Sequence, residues 1–237
     1  MLATPSSQFS NLTLRQVHPQ KVVVIGDSVV YGFGDPEGGG WVERLRRQSM
    51  DPGRTGAVFY NLGVRGDGVS QVVQRLEHEF RYRGEIRNRV PDLIGLSVGL
   101  NDSARVGRPL GRNYTDFDDF QVQMGELLIQ AHQLCPVLFI GMTPVNEQAM
   151  PFAEVLYYSH SEQWRYKEAT RLACASQNIP YLDVMDLWLK RGEGWWRDRI
   201  SSDGLHPNIL GYQALLQDIL AWDAFQAAVD LAMDLPG

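Results

Sequence analysis

Ser28 stands just beyond the first apolar run of the chain. Val22, Val23, Val24 and Ile25 are followed at once by Gly26-Asp27-Ser28. Far downstream comes Asp203-Gly204-Leu205-His206-Pro207, with the acid and the imidazole three positions apart. A serine hydroxyl is a weak nucleophile until an adjacent base takes its proton, and that base needs a carboxylate to orient it. Ser28, His206 and Asp203 are therefore the residue types of acyl transfer: attack on a carbonyl, proton shuttling, and fixing of the imidazole. A tetrahedral oxyanion also needs hydrogen-bond donors. The candidates are the backbone N–H groups of Ser28 and Gly63 and the side-chain amide of Asn101. At Gly63 a Cβ could block the approach of a substrate oxygen. Asp27 and Asp102 each neighbour one of these groups and read as supporting hydrogen bonders or helix caps, with surface turn chemistry as the plainer reading.

Positioning such residues is the work of the elements around them. Short apolar runs at Val22 to Ile25, Ala57 to Leu62, Leu93 to Val98, Val137 to Gly141 and Ile179 to Val184 have the character of strands buried on both faces of a parallel sheet. Between them lie helical stripes: Val69, Val72, Val73, Leu76 and Phe80, then Phe117, Phe120, Met124, Leu127, Leu128, Ala131 and Leu134. Thr115 or Asp116 can cap the second stripe, Ser161 can cap a helix running to about Gln177, and Pro207 suits the first turn of a last helix. This alternation predicts a doubly wound α/β/α domain with five parallel strands, spanning residues 1–237 with an irregular segment over 1–20. Ligands of open α/β sheets bind beyond the carboxyl ends of the strands. Ser28, Gly63, Asn101 and His206 each follow a predicted strand, so the fold gathers them on one rim.

Each block by itself is ordinary turn chemistry, and Gly-Asp-Ser alone identifies little. In combination and in order, the four blocks resemble those of the SGNH hydrolases, the GDSL-type esterase/lipase family. The matching residues are Gly26-Asp27-Ser28 with Gly32, Gly63 within Asn61 to Gly66, Gly99-Leu100-Asn101-Asp102, and Asp203-Gly204-Leu205-His206-Pro207. Val30 departs from the Ser or Thr that many members carry there. The resemblance implies a flavodoxin-like sheet and esterase activity on acyl or acetyl esters without a metal. The expected enzyme is a serine esterase for small or medium acyl groups, working through an acyl-enzyme. The rival reading is a catalytically silent flavodoxin-like protein holding a small anionic ligand at the glycine-rich turn after the first strand.

Composition narrows the field further. The 237 residues carry 22 Lys and Arg against 28 Asp and Glu, a formal charge of -6, which argues against a nucleic-acid or anionic-membrane surface. The densest basic stretch, Arg81 to Arg89, is broken by Glu85 and reads as a solvated helix end. Cys135 and Cys174 read as buried thiols of a reducing compartment. No His, Cys or carboxylate cluster has a metal-ligand spacing, and no cofactor is expected; His18, His78 and His132 read as surface or core residues, and His160 has no partner in sequence. The polar start of the chain has no signal-peptide pattern and no run is long enough to span a bilayer, so a cytoplasmic location is expected. The expected partner is a small ester, with a homo-oligomer left open. The segment from Thr143 to Trp164 is long for a connection, and its Met150, Phe152, Val155, Leu156, Tyr157, Tyr158 and Trp164 suit a lid, a pocket wall or a dimer contact. Trp188, Trp195 and Trp196 allow the same choice between pocket and core.

Overall fold

The computed structural model describes residues 19–50, 56–83 and 90–229. The irregular N-terminal segment, His18 and the far end of the basic stretch lie outside these residues, except for positions 19, 20, 81–83. Lys21–Gly26 forms β1, and Ser28–Tyr31 a single helical turn, α1. Gly40–Gln48 is α2, Val58–Gly63 is β2, Val69–Tyr82 is α3 and Leu93–Ser97 is β3. Asn101–Ser103 forms a 3-10 turn, followed by the short β4 at Arg105–Val106, α4 at Phe117–Leu134 and β5 at Val137–Ile140. A second 3-10 turn at Glu147–Ala149 leads to β6 at Leu156–Tyr157 and α5 at His160–Ser176. The chain then forms β7 (Tyr181–Leu182), α6 (Val184–Lys190), α7 (Glu193–Arg197), α8 (Ile209–Leu220) and α9 (Asp223–Ala228).

The main sheet runs β2-β1-β3-β5-β7, every pair parallel. This is the flavodoxin-like doubly wound order that the apolar runs predict. β1, β3 and β5 are buried along their whole length, whereas the edge strand β2 is only partly covered. The stripes fix the helices: Val69, Val72, Leu76 and Phe80 are buried on α3, and Phe120, Met124, Leu127, Leu128 and Ala131 on α4. Phe120 is completely buried, and removal of such a ring costs about 3–5 kcal/mol. α3 packs on α4 and α4 on α5, while α2 packs on α8, which sandwiches the sheet between two helical layers.

Two helix starts differ from the sequence reading. α5 is capped by Ser159, whose hydroxyl accepts from the Glu162 N–H at 3.3 Å, and Ser161 already lies inside the helix. α8 is capped by Asn208, whose side chain accepts from the Gly211 N–H at 3.0 Å, so Pro207 precedes the cap. The segment after β5 supplies β6, which pairs antiparallel with β4 from the loop after β3, a pair that the apolar pattern did not announce. Among the described residues, no helix is long and apolar enough to cross a membrane.

Candidate functional site

At the carboxyl end of β1 the backbone turns straight into α1. The Asp27 carboxylate caps that turn by accepting from the Val29 N–H at 2.8 Å. Ser28 becomes the first residue of the helix, with its hydroxyl on the rim of the sheet. Across the rim, Ser201 to Asn208 form a tight loop: the Gly204 N–H donates to the Ser201 carbonyl at 3.0 Å, with Gly204 at φ 75°. A side chain is strained at that φ and would strike Ala149 and the Asn146 carbonyl, so glycine lets the loop fold back. The loop brings together residues 178 positions apart: His206 Nε2 lies 2.8 Å from Ser28 Oγ. His206 Nδ1 lies 2.6 Å from Asp203 Oδ2.

Asp203 is held as firmly as the imidazole. Its Oδ1 accepts from Ser201 Oγ at 2.7 Å and from the N–H groups of Leu205 and His206 at 2.9 and 3.0 Å. Burial opposes its charge, but the bonds from His206, the backbone and Ser201 outweigh that and hold the carboxyl well below the usual range. The ring of His206 is fixed by Phe33 and Phe152, both edge-on, with centroids 4.6 and 5.6 Å away. Ser28 and His206 are 5% and 2% exposed, so little water competes for the hydroxyl–imidazole contact.

A cavity of about 340 Å³ opens over this pair, lined also by Arg65, Gly66, Asn101, Tyr114, Phe152, Leu156, Tyr158 and Leu205. The Asn101 amide is oriented at both ends: its Nδ2 donates to the Asp67 carbonyl at 2.9 Å, and its Oδ1 accepts from the Tyr158 O–H at 3.2 Å. An amide nitrogen carries two hydrogens, which leaves one over. Asp102 accepts from Val69 at the start of α3 (3.1 Å) and from the Thr115 O–H (2.6 Å). It thereby ties the approach to α4 to the loop before α3. Burial raises the Asp102 carboxyl, and raises that of Asp27 to about 7, with Asp102 and Asp67 adding repulsion at Asp27.

Gly63 does not occupy the place expected of it. Its N–H donates to its neighbour Asn61 Oδ1 at 3.0 Å, so it is already engaged, and Gly63 does not line the cavity. A Cβ on it would come within 2.1 Å of the Tyr31 backbone nitrogen; glycine is needed there for the packing of β2 against α1. The glycine that does border the cavity is Gly66, at φ 84° with open space around its Cα. The signal was present in the same block, as Gly66-Asp67-Gly68, but the fold-back of Asn61 onto Gly63 is not visible in a sequence. Within the long segment, Phe152, Leu156 and Tyr158 form cavity wall, whereas Val155 and Trp164 are exposed. Trp188 and Trp196 are buried away from the cavity, and Trp195 packs against the core. Cys174 is buried, while Cys135 is only half-buried at the end of α4. Among the described residues, no group of three or more His, Cys, Asp or Glu is placed to hold a metal ion.

The sequence model of the GDSL-like Lipase/Acylhydrolase family matches residues 24–214. The chain belongs to that family. Its membership makes it a carboxylic ester hydrolase, and the match takes in both the Gly26-Asp27-Ser28 turn and the Asp203/His206 loop. The comparison with curated proteins returned no match. Among solved structures, a lipase/acylhydrolase from Enterococcus faecalis is similar in fold, with a TM-score of 0.70 at 20% identity, over 90% of this chain and 99% of the other. A catalytic mutant of the acetylxylan esterase Axe2 from Geobacillus stearothermophilus gives 0.65 at 16% identity, over 86% and 93%. The psychrotrophic esterase EstA from a Pseudoalteromonas species gives 0.60 at 15% identity, over 85% and 94%.

Proposed function

We propose that this GDSL-family hydrolase cleaves carboxylic esters through an acyl-enzyme formed on Ser28. The observation that carries the reading is the unbroken chain from Ser28 Oγ through His206 to Asp203, at 2.8 and 2.6 Å. His206 takes the hydroxyl proton at Nε2 as Ser28 attacks, and returns it to the departing alcohol. Asp203 stays ionised, keeps the Nδ1 proton in place and stabilises the imidazolium. Water then enters the same cycle and releases the acid. The oxyanion is held by the N–H groups of Ser28 and Gly66 and by the spare amide hydrogen of Asn101; the last two residues border the cavity beside Ser28. A cavity of about 340 Å³ with Leu156, Phe152 and Leu205 in its wall suits small or medium acyl groups.

The test combines fluorophosphonate labelling with hydrolysis of nitrophenyl esters of rising chain length. Wild-type protein should be labelled and active, with rates falling for long chains. Ser28→Ala should lose both labelling and activity with an unchanged circular dichroism spectrum. A Ser28→Ala variant that keeps most of its activity removes Ser28 as the nucleophile.

A further inference from the structure

Arg65 is the one cation lining the cavity among the described residues, and no carboxylate is paired with it there. This sets it apart from most of the described arginines. Arg44, Arg75, Arg105 and Arg191 are each bonded to an acid at 2.5–2.8 Å. Arg65 instead lies on an aromatic support: its Cζ is 3.9 Å from the centroid of the Phe33 ring. Phe33 is itself anchored, with its carbonyl accepting from the buried Tyr212 O–H at 2.8 Å and its ring edge-on to His206. A guanidinium lying over a ring keeps its N–H edge free for a ligand, and its stacking limits the side-chain freedom lost when one binds. The cation thus stands one ring away from the imidazole, next in sequence to Gly66.

Apart from Arg65 and His206, the cavity lining holds no acidic or basic side chain. The carboxylates behind the wall are engaged elsewhere, Asp203 with His206 and Asp67 with Arg75 at 2.8 Å. An unpaired guanidinium beside the reacting groups rewards a substrate that brings its own negative charge, because charge-assisted bonds to a carboxylate or phosphate are stronger than neutral ones. A wholly neutral ester offers that cation no such bond.

We infer that Arg65 is a specificity residue, and that the preferred substrates are esters carrying an anionic group, a carboxylate or a phosphate, close to the scissile bond. The inference rests on the esterase reading above. Two matched pairs test it and separate the side on which the anion sits. The acyl side is read with the mono-para-nitrophenyl ester of succinic acid against para-nitrophenyl butyrate. The alcohol side is read with para-acetoxybenzoate against its methyl ester. The readout is the ratio of kcat/KM for the anionic and neutral members, compared between variants so that intrinsic reactivity cancels. Arg65→Met should lower that ratio about tenfold in at least one pair, the size of a bond to a charged group. Arg65→Lys should give an intermediate ratio, and added salt should lower the wild-type ratio. A ratio indifferent to Arg65→Met in both pairs overturns the inference while leaving the esterase reading standing. Hydrolysis of neither member of either pair, with no fluorophosphonate labelling, removes the esterase reading and the inference together.

Discussion

Gly63 and Gly66 lie three residues apart, and the chain needs glycine at each for a different reason. At Gly63 the demand is steric: the backbone of α1 lies where a Cβ would go, and a backbone atom cannot swing aside as a side chain can. At Gly66 there is room for a Cβ, but φ is 84°, and the residue borders the cavity. Gly63→Ala should therefore act first on stability. Overpacking of this kind costs about 1–3 kcal/mol, and a chain of this size loses roughly 2–4 °C of Tm per kcal/mol. Gly66→Ala should act first on turnover, because a strained φ re-aims the N–H proposed for the oxyanion, and one such donor is worth about 10²–10³ in kcat. Thermal unfolding and kcat measured on both variants decide the assignment. A Gly63→Ala protein with wild-type Tm and a selective loss of kcat would hand the donor role back to Gly63. The sequence singled out Ser28, His206, Asp203 and Asn101 because their types are rare in that combination, and the fold brings Ser28, His206 and Asn101 to one cavity with Asp203 behind the imidazole. That the Gly63 N–H is already engaged was not legible, because it turns on the Asn61 side chain bonding to the backbone two residues later.

At the scale of elements, legibility followed the strength of the local signal. α4 carries an apolar stripe with an Asp116 cap, and both were readable. α2 was not: it follows a run of glycines, its cap is Gly39 at φ 72° with no side chain to offer, and the Gly40 N–H donates instead to Asp35 Oδ2, five residues back, at 3.0 Å. Its burial of Trp41, Val42 and Leu45 shows that tertiary packing sets this helix. The β4–β6 pair escaped for the same reason, since each strand has two residues and no period to read. That small pair nevertheless shapes the site. It turns the chain so that Leu156 and Tyr158 face the cavity, and the Tyr158 O–H fixes which way round the Asn101 amide sits. Tyr158→Phe keeps the ring and removes only that bond. Kcat should fall by about threefold to tenfold, matching the roughly 0.5–1.5 kcal/mol net worth of one hydrogen bond. KM should move less, because an oxyanion donor acts mainly in the transition state. Steady-state kinetics check this, and a change confined to KM would make Tyr158 a substrate contact instead.

For the whole molecule, the pH dependence of stability is a second consequence of building the site around buried acids. Asp27 is fully enclosed beneath the β1–α1 turn, and burial, with Asp102 and Asp67 nearby, raises its carboxyl to about 7 from an ordinary value of 3.8. Below pH 4 the group is protonated in both folded and unfolded chains and contributes nothing. Between about 4 and 7 the unfolded chain releases the proton while the folded chain keeps it. The folded state then binds more protons, so its stability falls as pH rises, by up to about 1.4 kcal/mol per pH unit. Above 7 both states are ionised and the loss is complete, at most about 4 kcal/mol. Asp203 does not mask this: its folded value is lowered, so its contribution is in place above the unfolded value and is lost only as pH falls further. Asp27→Asn removes the titration while its side-chain oxygen can still accept from the Val29 N–H. The Tm of Asp27→Asn minus that of the wild type should therefore be more positive at pH 8 than at pH 4.5, by several degrees for a chain this long. Thermal unfolding of both proteins at the two pH values measures the difference. A gap that stays flat would mean that Asp27 is ionised in the folded protein throughout, with the Val29 N–H outweighing its burial.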